Sequence, residues 1–202
     1  MTIEPITYEE LSVLYETRLK VDFPPTELRP LSNMKMLLDK GAYRCFACRD
    51  GEKILAYALF AVAEGAALLD YYAVDKSLRG QGIGGEFLKK LQATAGDFGA
   101  PYLLIEAESL ESAANKAETA ERERRLRFYH RCGCVSTGVY SHLFWVEYEI
   151  LALPLAGGCP PTAEQAKEAL ESVYRLIVTL PPGRQRDEVC KCYFKEELYP
   201  DT

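Results

Sequence analysis

The sequence predicts a mixed α/β (α+β) fold: a mostly antiparallel central sheet flanked by helices, with a C-terminal extension. Asp50-Gly51 separates two strand-like runs, Tyr43–Arg49 and Lys53–Ala63, which is a hairpin signal. A third strand-like run, Ala67–Val74, passes through the glycine-rich Arg79–Gly85 into the helix-like Glu86–Phe98. That helix places Phe87, Leu88, Leu91 and Ala95 on one face, as a helix packed on a sheet does.

The remaining elements follow in order. Tyr8–Asp22 reads as a helix capped by Thr7, with Leu11, Leu14, Tyr15 and Leu19 along one side and Phe23-Pro24-Pro25 as its stop. Leu31–Lys40 reads as a second helix ended by Gly41, and Glu64-Gly65 turns the sheet into its third strand. Pro101–Ala107 reads as a buried strand. Glu108–Glu123, rich in Ala and charge, suits either a loop or a surface helix. Arg122–Arg131 reads as helix closed at Gly133, and Val135–Tyr140 with Leu143–Ala152 as a closing hairpin. Gly157-Gly158-Cys159-Pro160-Pro161 breaks the pattern, so the expected division is 1–156 and 157–202. Within the extension, Thr162 caps a helix to about Leu176 that turns Ala163, Ala166, Leu170, Val173 and Leu176 inward. Residues 184–202 are polar and weakly patterned, too few for a core of their own.

The glycine run is the most informative stretch. A strand that turns through glycines into a helix start leaves N–H groups unpaired, and these, with the helix dipole, form a phosphate site. A Walker-type loop is excluded, because Glu86 and Phe87 follow Gly85 where Lys and Ser/Thr are needed. A dinucleotide fingerprint is poorly met: Gly80-Gln81-Gly82-Ile83-Gly84 is Gly-x-Gly-x-Gly, in mid-chain, with only Glu106 and Glu108 at a suitable distance. Arg79, Gly82 and Gly84 instead satisfy Arg-x-x-Gly-x-Gly.

The segment from Tyr72 to Gly84 resembles the acyl-CoA-binding motif of the GNAT superfamily of N-acetyltransferases. Arg127-Phe128-Tyr129-His130-Arg131-Cys132-Gly133-Cys134 resembles that family's later segment, although Cys134 stands where Phe is usual. Arg122 stands where the family often carries Asn, seven residues before the Tyr. The resemblance covers roughly residues 1–152. It implies acetyl-CoA as co-substrate, with its pyrophosphate on the backbone of Gln81, Gly82, Ile83, Gly84 and Gly85. Arg79 would stand at the rim, beside Gly80. Tyr72-Ala73-Val74 would pair with the pantetheine arm through the backbone of Tyr72 and Val74. It further implies a bulge that splays this strand from Pro101–Ala107, and Tyr129 as donor to the departing thiolate.

Acetyl transfer needs a polarised thioester carbonyl, a neutral attacking amine and a protonated leaving thiolate. A tyrosine is protonated at neutral pH and suits the last task, so Tyr129 is the candidate acid, with packing on the cofactor arm as its plainer reading. Asp70 and Glu106 compete for the base. Asp70 interrupts an apolar strand, where a carboxylate is costly without a role or partner, and shares a face with Tyr72 and Val74. Glu106 follows the buried run Tyr102–Ile105. A structural hydrogen bond or a solvated strand end is the plainer reading of each. The family's acceptor pocket points to Phe23–Arg29, Tyr140 and Trp145, although Trp145 reads first as a core aromatic.

Composition narrows the function. The chain has 202 residues, 48% hydrophobic and 27% charged, and a net charge of −6. An acidic protein is a poor nucleic-acid partner and mildly suits a cationic acceptor such as a small-molecule or peptide amine. No run approaches the roughly 20 apolar residues of a membrane span, and Met1-Thr2-Ile3-Glu4-Pro5 is unlike a signal peptide. No membrane partner and a cytoplasmic setting are therefore expected. Seven cysteines, an odd number, fit reduced thiols and read first as small buried hydrophobes, with a zinc site built from their pairs as the lesser alternative; two histidines exclude a His-rich metal site, and no metal is expected. The leading expectation is an N-acetyltransferase. The alternatives are transfer of another acyl group or to oxygen, and a non-catalytic CoA-binding or protein-interaction module. The extension is open to packing, lidding the site or forming a homodimer interface.

Overall fold

A computed structural model describes residues 1–94, 98–155 and 157–199. The chain forms two compact units, residues 1–62 with 69–91, and residues 63–68 with 92–202.

The first unit opens with strand β1 (Thr2–Pro5), too short and polar to announce itself in the sequence, which pairs antiparallel with β2 from Thr2↔Arg49 to Pro5↔Phe46. Helix α1 (Tyr8–Leu14) begins as expected at Thr7. The Thr7 hydroxyl accepts from the Glu10 N–H at 3.2 Å, and the Glu10 carboxylate accepts from the Thr7 N–H at 2.9 Å. The expected span to Asp22 is helical throughout, but a π-helical stretch, Tyr15–Leu19, separates α1 from α2 (Lys20–Asp22). Leu11, Leu14, Tyr15 and Leu19 are buried, as their spacing predicts. Helix α3 (Leu31–Asp39) buries Met34 and Leu37. Strands β2 (Tyr43–Asp50) and β3 (Lys53–Ala63) form the expected antiparallel hairpin, closed at Asp50↔Lys53. Leu55 to Ala61 are all buried, so β3 is covered on both faces, and its continuous apolar run follows from that. Strand β4 (Ala66–Val74) completes the order β1-β2-β3-β4. Helix α4 (Ile83–Thr94) buries Phe87, Leu88 and Leu91. It starts three residues before the expected Glu86, inside the glycine run; the expected inward position of Ala95 lies outside the described residues.

In the second unit the strands are ordered β5-β7-β6-β8, and each described pairing is antiparallel. They are β5 (Tyr102–Glu108), β6 (Val135–Leu143), β7 (Val146–Pro154) and β8 (Cys190–Phe194). Helix α5 (Lys116–Arg131) resolves the undecided charged stretch as a helix in its second half. Asn115 caps it, accepting from the Ala117 and Glu118 N–H groups at 3.0 Å each, and Glu118–Arg122 and Glu123–Arg127 are i,i+4 ion pairs. The closing hairpin turns at Phe144-Trp145, later than the sequence predicts. Strand β8 holds β6 in register as far as Leu143↔Cys190, and the Phe144 N–H donates to the Val189 carbonyl at 2.6 Å. Trp145 is accordingly 85% exposed and is no core aromatic.

The extension forms α6 (Ala163–Ile177), α7 (Arg186–Val189), β8 and α8 (Lys195–Leu198). Thr162 caps α6 as expected, with Gln165 closing a capping box, and α6 buries Ala166, Leu170 and Val173 against β6 and β8. The polar tail hides a strand, because Cys190 and Cys192 point inward while Lys191 points out. All seven cysteines are free thiols. Among the described residues no helix is long and apolar enough to cross a membrane, and no group of three or more His, Cys, Asp or Glu could hold a metal ion.

Candidate active site

The glycine loop leaves β4 through a short 3-10 turn, Lys76–Leu78. Asp75 organises that turn by accepting from the Ser77 N–H at 2.9 Å and the Ser77 hydroxyl at 2.6 Å. The Gln81 amide donates to the Ser77 carbonyl at 3.3 Å. Gly80 and Gly82 then take φ of +79° and +82°, a conformation that costs other residues energy, and a Cβ at either would point into open space. The need for glycine at these two positions is therefore conformational. The first bond of the α4 ladder runs from the Glu86 N–H to the Gly82 carbonyl at 3.1 Å. The N–H groups of Ile83, Gly84 and Gly85 thus precede the ladder, at the positive end of the helix. Tyr72 fixes this end to β4 by donating its hydroxyl to the Gly84 carbonyl and stacking on Phe87 at 5.6 Å. Arg79 is exposed at the edge of the loop, with Nε 3.4 Å from the Val74 carbonyl oxygen. The arrangement fits a pyrophosphate: N–H donors ahead of the helix ladder, a helix dipole, a nearby cation and open space beside Gly80 and Gly82.

Asp70 lies on β4 with a full set of partners. Arg29 approaches it through Nε and Nη2, each at 3.3 Å, and the Tyr43 hydroxyl donates to it. Burial works against the Arg29 charge, but the Asp70 charge and hydrogen bond, with Tyr43 and Tyr71, together outweigh it and raise the guanidinium's pKa. The Tyr43 phenol is raised well above its ordinary value, by burial and then by Asp70. Neighbouring Tyr71 donates to the Glu27 carbonyl and accepts from the Arg29 N–H, both at 2.8 Å, while Phe23 packs edge-on against its ring at 4.9 Å. The Phe23–Arg29 segment is thereby pinned to β4.

In the second unit, Tyr129 sits on α5 and is only 7% exposed. Burial pushes its phenol up to about 12, with Arg125 opposing and the Cys134 and Cys132 thiols adding. Its ring meets Phe128 edge-on at 5.2 Å, and among the described residues its hydroxyl makes no hydrogen bond. Arg122, at the position where Asn is common, braces the end of β5 instead: it donates to the Ser109 carbonyl and the Ser112 hydroxyl, and pairs with Glu108 at 3.6 Å. Glu106, on β5, accepts from the Tyr174 hydroxyl of α6. Tyr140 is buried edge-on against Tyr199 at 5.5 Å. Sequence reasoning passed over Tyr174, Tyr43 and Ser141. For Tyr174 a signal existed, since it falls on the α6 stripe four residues after Leu170, and a buried phenol needs a partner.

The family model for the acetyltransferase (GNAT) family matches residues 8–134. The chain belongs to this family. Among relatives, it is 30% identical over 114 residues to "Putative acetyltransferase YjbC" of Bacillus subtilis (strain 168). That match takes in 56% of this chain and 53% of YjbC, so it spans about half the length of that relative. Among solved structures, this GNAT chain is similar to a GNAT-family protein from Bacteroides thetaiotaomicron. Their TM-score is 0.65 at 19% identity, over 88% of this chain and 97% of the other. It is also similar to yncA from Salmonella typhimurium, solved with its cofactor acetyl-CoA, with a TM-score of 0.56 at 16% identity over 81% and 98% of the two chains. At these identities the structural likenesses establish the fold.

Proposed function

We propose that this protein is an N-acetyltransferase that moves the acetyl group of acetyl-CoA to a primary amine of a small molecule or peptide, by direct attack in a ternary complex. The observation that carries the reading is the loop of Arg79–Gly85, with its N–H groups ahead of the α4 ladder and positive φ at Gly80 and Gly82. The N–H groups of Gln81 to Gly85 hold the pyrophosphate, Arg79 adds charge at the rim, and the backbone of Tyr72, Ala73 and Val74 pairs with the pantetheine arm. The domain that does this runs over 1–156. Residues 157–202 are an extension packed on it, consistent with the β6–β8 pairing.

In the reaction the amine lone pair attacks the thioester carbonyl carbon, the C–S bond breaks, and the thiolate takes the Tyr129 proton. A phenol held protonated, with no competing hydrogen bond among the described residues, suits that role. The ammonium proton leaves for a carboxylate, directly or through water. Asp70 is held in a buried ion pair with the Arg29 guanidinium, whereas the Tyr174 partner of Glu106 is a neutral phenol, so we take Glu106 as the base. A reducing, cytoplasmic setting suits seven free thiols.

The test is thiol release from acetyl-CoA across a panel of polyamines, aminoglycosides and peptides with free N-termini. Saturable, amine-dependent release is expected. Tight CoA binding without release on any of them would overturn the reading in favour of a binding module.

A further inference from the structure

Helix α6 belongs to the extension, outside the matched family region, and its most buried polar group is aimed at the sheet. The Tyr174 side chain is 2% exposed. A hydroxyl at that depth needs partners, and it has two: the Glu106 carboxylate on β5, and the Ser141 hydroxyl on β6 at 2.8 Å. A phenol has one proton. An ionised carboxylate only accepts, so that proton is spent on Glu106, and Ser141 must then donate into the Tyr174 oxygen. The result is a directed chain, Ser141 to Tyr174 to Glu106, with Ser141 fully buried.

We infer that Tyr174 is a positioning residue for Glu106: the extension supplies the hydrogen bond that holds this carboxylate ionised and oriented to take a proton. The inference rests on the reading of Glu106 as the base. Burial, and then the Glu106 charge, push the Tyr174 phenol well above its ordinary range, so the donor keeps its proton throughout the working pH range. Titratable groups around Tyr174 include Cys190, Lys191 and Cys192 on β8, Lys167, Glu171 and Arg175 on α6, and Arg186 and Asp187 on α7, with the Arg186 guanidinium donating to the Tyr174 carbonyl at 3.2 Å. Lys167 is engaged elsewhere, 3.8 Å from Glu197 and 4.3 Å from the Phe194 ring centroid. Cys192 is held as a neutral thiol, pushed up to about 12 by burial, then by Glu171, Cys190 and Glu106 against Lys167. The Tyr174 hydroxyl is thus a neutral donor to Glu106 from the α6 side. A purely structural tyrosine would contribute through its ring, which Tyr174→Phe retains.

The test is carbon-detected NMR titration of full-length protein labelled at glutamate side-chain carboxyls, with Glu106→Gln identifying the resonance. In Tyr174→Phe the Glu106 midpoint should rise by about one to two pH units, because a hydrogen bond to the charged form is lost. Ser141→Ala should move it the same way by less, and serves if the first variant folds poorly. The acidic limb of kcat/KM for the best amine of the panel should rise by the same interval, with KM for acetyl-CoA unchanged. An unmoved midpoint, or a moved midpoint with an unmoved limb, overturns the inference. Failure of the base assignment itself reads differently: Glu106→Gln would keep full turnover while the Tyr174→Phe midpoint still moved.

Discussion

Arg29 Nε lies 3.3 Å from Asp70 Oδ2, and the two side chains are 14% and 9% exposed. This buried pair joins the Phe23–Arg29 segment to the middle of β4. Breaking such a pair from one side leaves a charge without compensation and costs about 3–5 kcal/mol. Arg29→Ala should therefore lower the urea midpoint strongly. Asp70→Asn still accepts from Tyr43 but leaves the buried Arg29 charge uncompensated, so it should lower the midpoint comparably. The folded fraction should retain turnover if Asp70 is structural, and loss of turnover in protein that is still folded would restore Asp70 as a candidate base.

Gly82 tests the phosphate cradle. Its carbonyl starts the α4 ladder, so a side chain there occupies the helix N-cap. Gly82→Asp would place a carboxylate against the N–H groups of Ile83 to Gly85, capping the helix with the wrong anion. CoA affinity should fall at least 100-fold, measured by calorimetry, while the far-UV spectrum stays native. Undiminished affinity would remove the loop from cofactor binding.

Tyr129→Phe separates acid catalysis from packing. Turnover should fall by about 10²-fold or more, with affinity for acetyl-CoA little changed, since a general acid acts on the leaving thiolate. The phenol is held at about 12, so it contributes no basic limb to the activity profile below about pH 11. Wild-type turnover in the variant would leave Tyr129 as a packing residue.

Alkaline stability follows from buried protonated groups. Burial, ahead of neighbouring charges, raises Cys45, Cys134 and Cys192 from 9.0 to about 12, and Tyr129 from 10.0 to about 12. The folded state keeps protons that the unfolded chain gives up. Their contribution is complete below pH 9 and is lost as pH climbs towards 12. The slope is about 1.4 kcal/mol per pH unit for each such thiol. Thermal midpoints should be level from pH 7 to 9 and fall steeply above; a level midpoint up to pH 11 would contradict the assigned burial of these groups.

Local signals carried much of the fold. Thr7 and Thr162 each announced a helix start, because a cap is a contact within three residues. Asp50-Gly51 announced a hairpin, and the glycine run announced a turn into a helix. The conformation of the glycine loop was legible for the same reason, since it is set by local backbone requirements. What failed locally was whatever a distant strand decides. The hairpin turn moved to Phe144-Trp145 because β8, arriving about 50 residues later, extends β6. β8 itself hid in a polar tail because only two of its residues point inward.

By itself the sequence determined the class of fold, the glycine turn into α4 and the family the chain belongs to, all written in short-range backbone and spacing requirements. Only the tertiary structure decided which partners each carboxylate has. Asp70 and Glu106 are both acids in apolar strands, and nothing adjacent distinguishes them. Arg29 and Tyr43 reach Asp70 from 41 and 27 residues away, and Tyr174 reaches Glu106 from 68. The role of a buried charge is set by its partners, and folding chooses those.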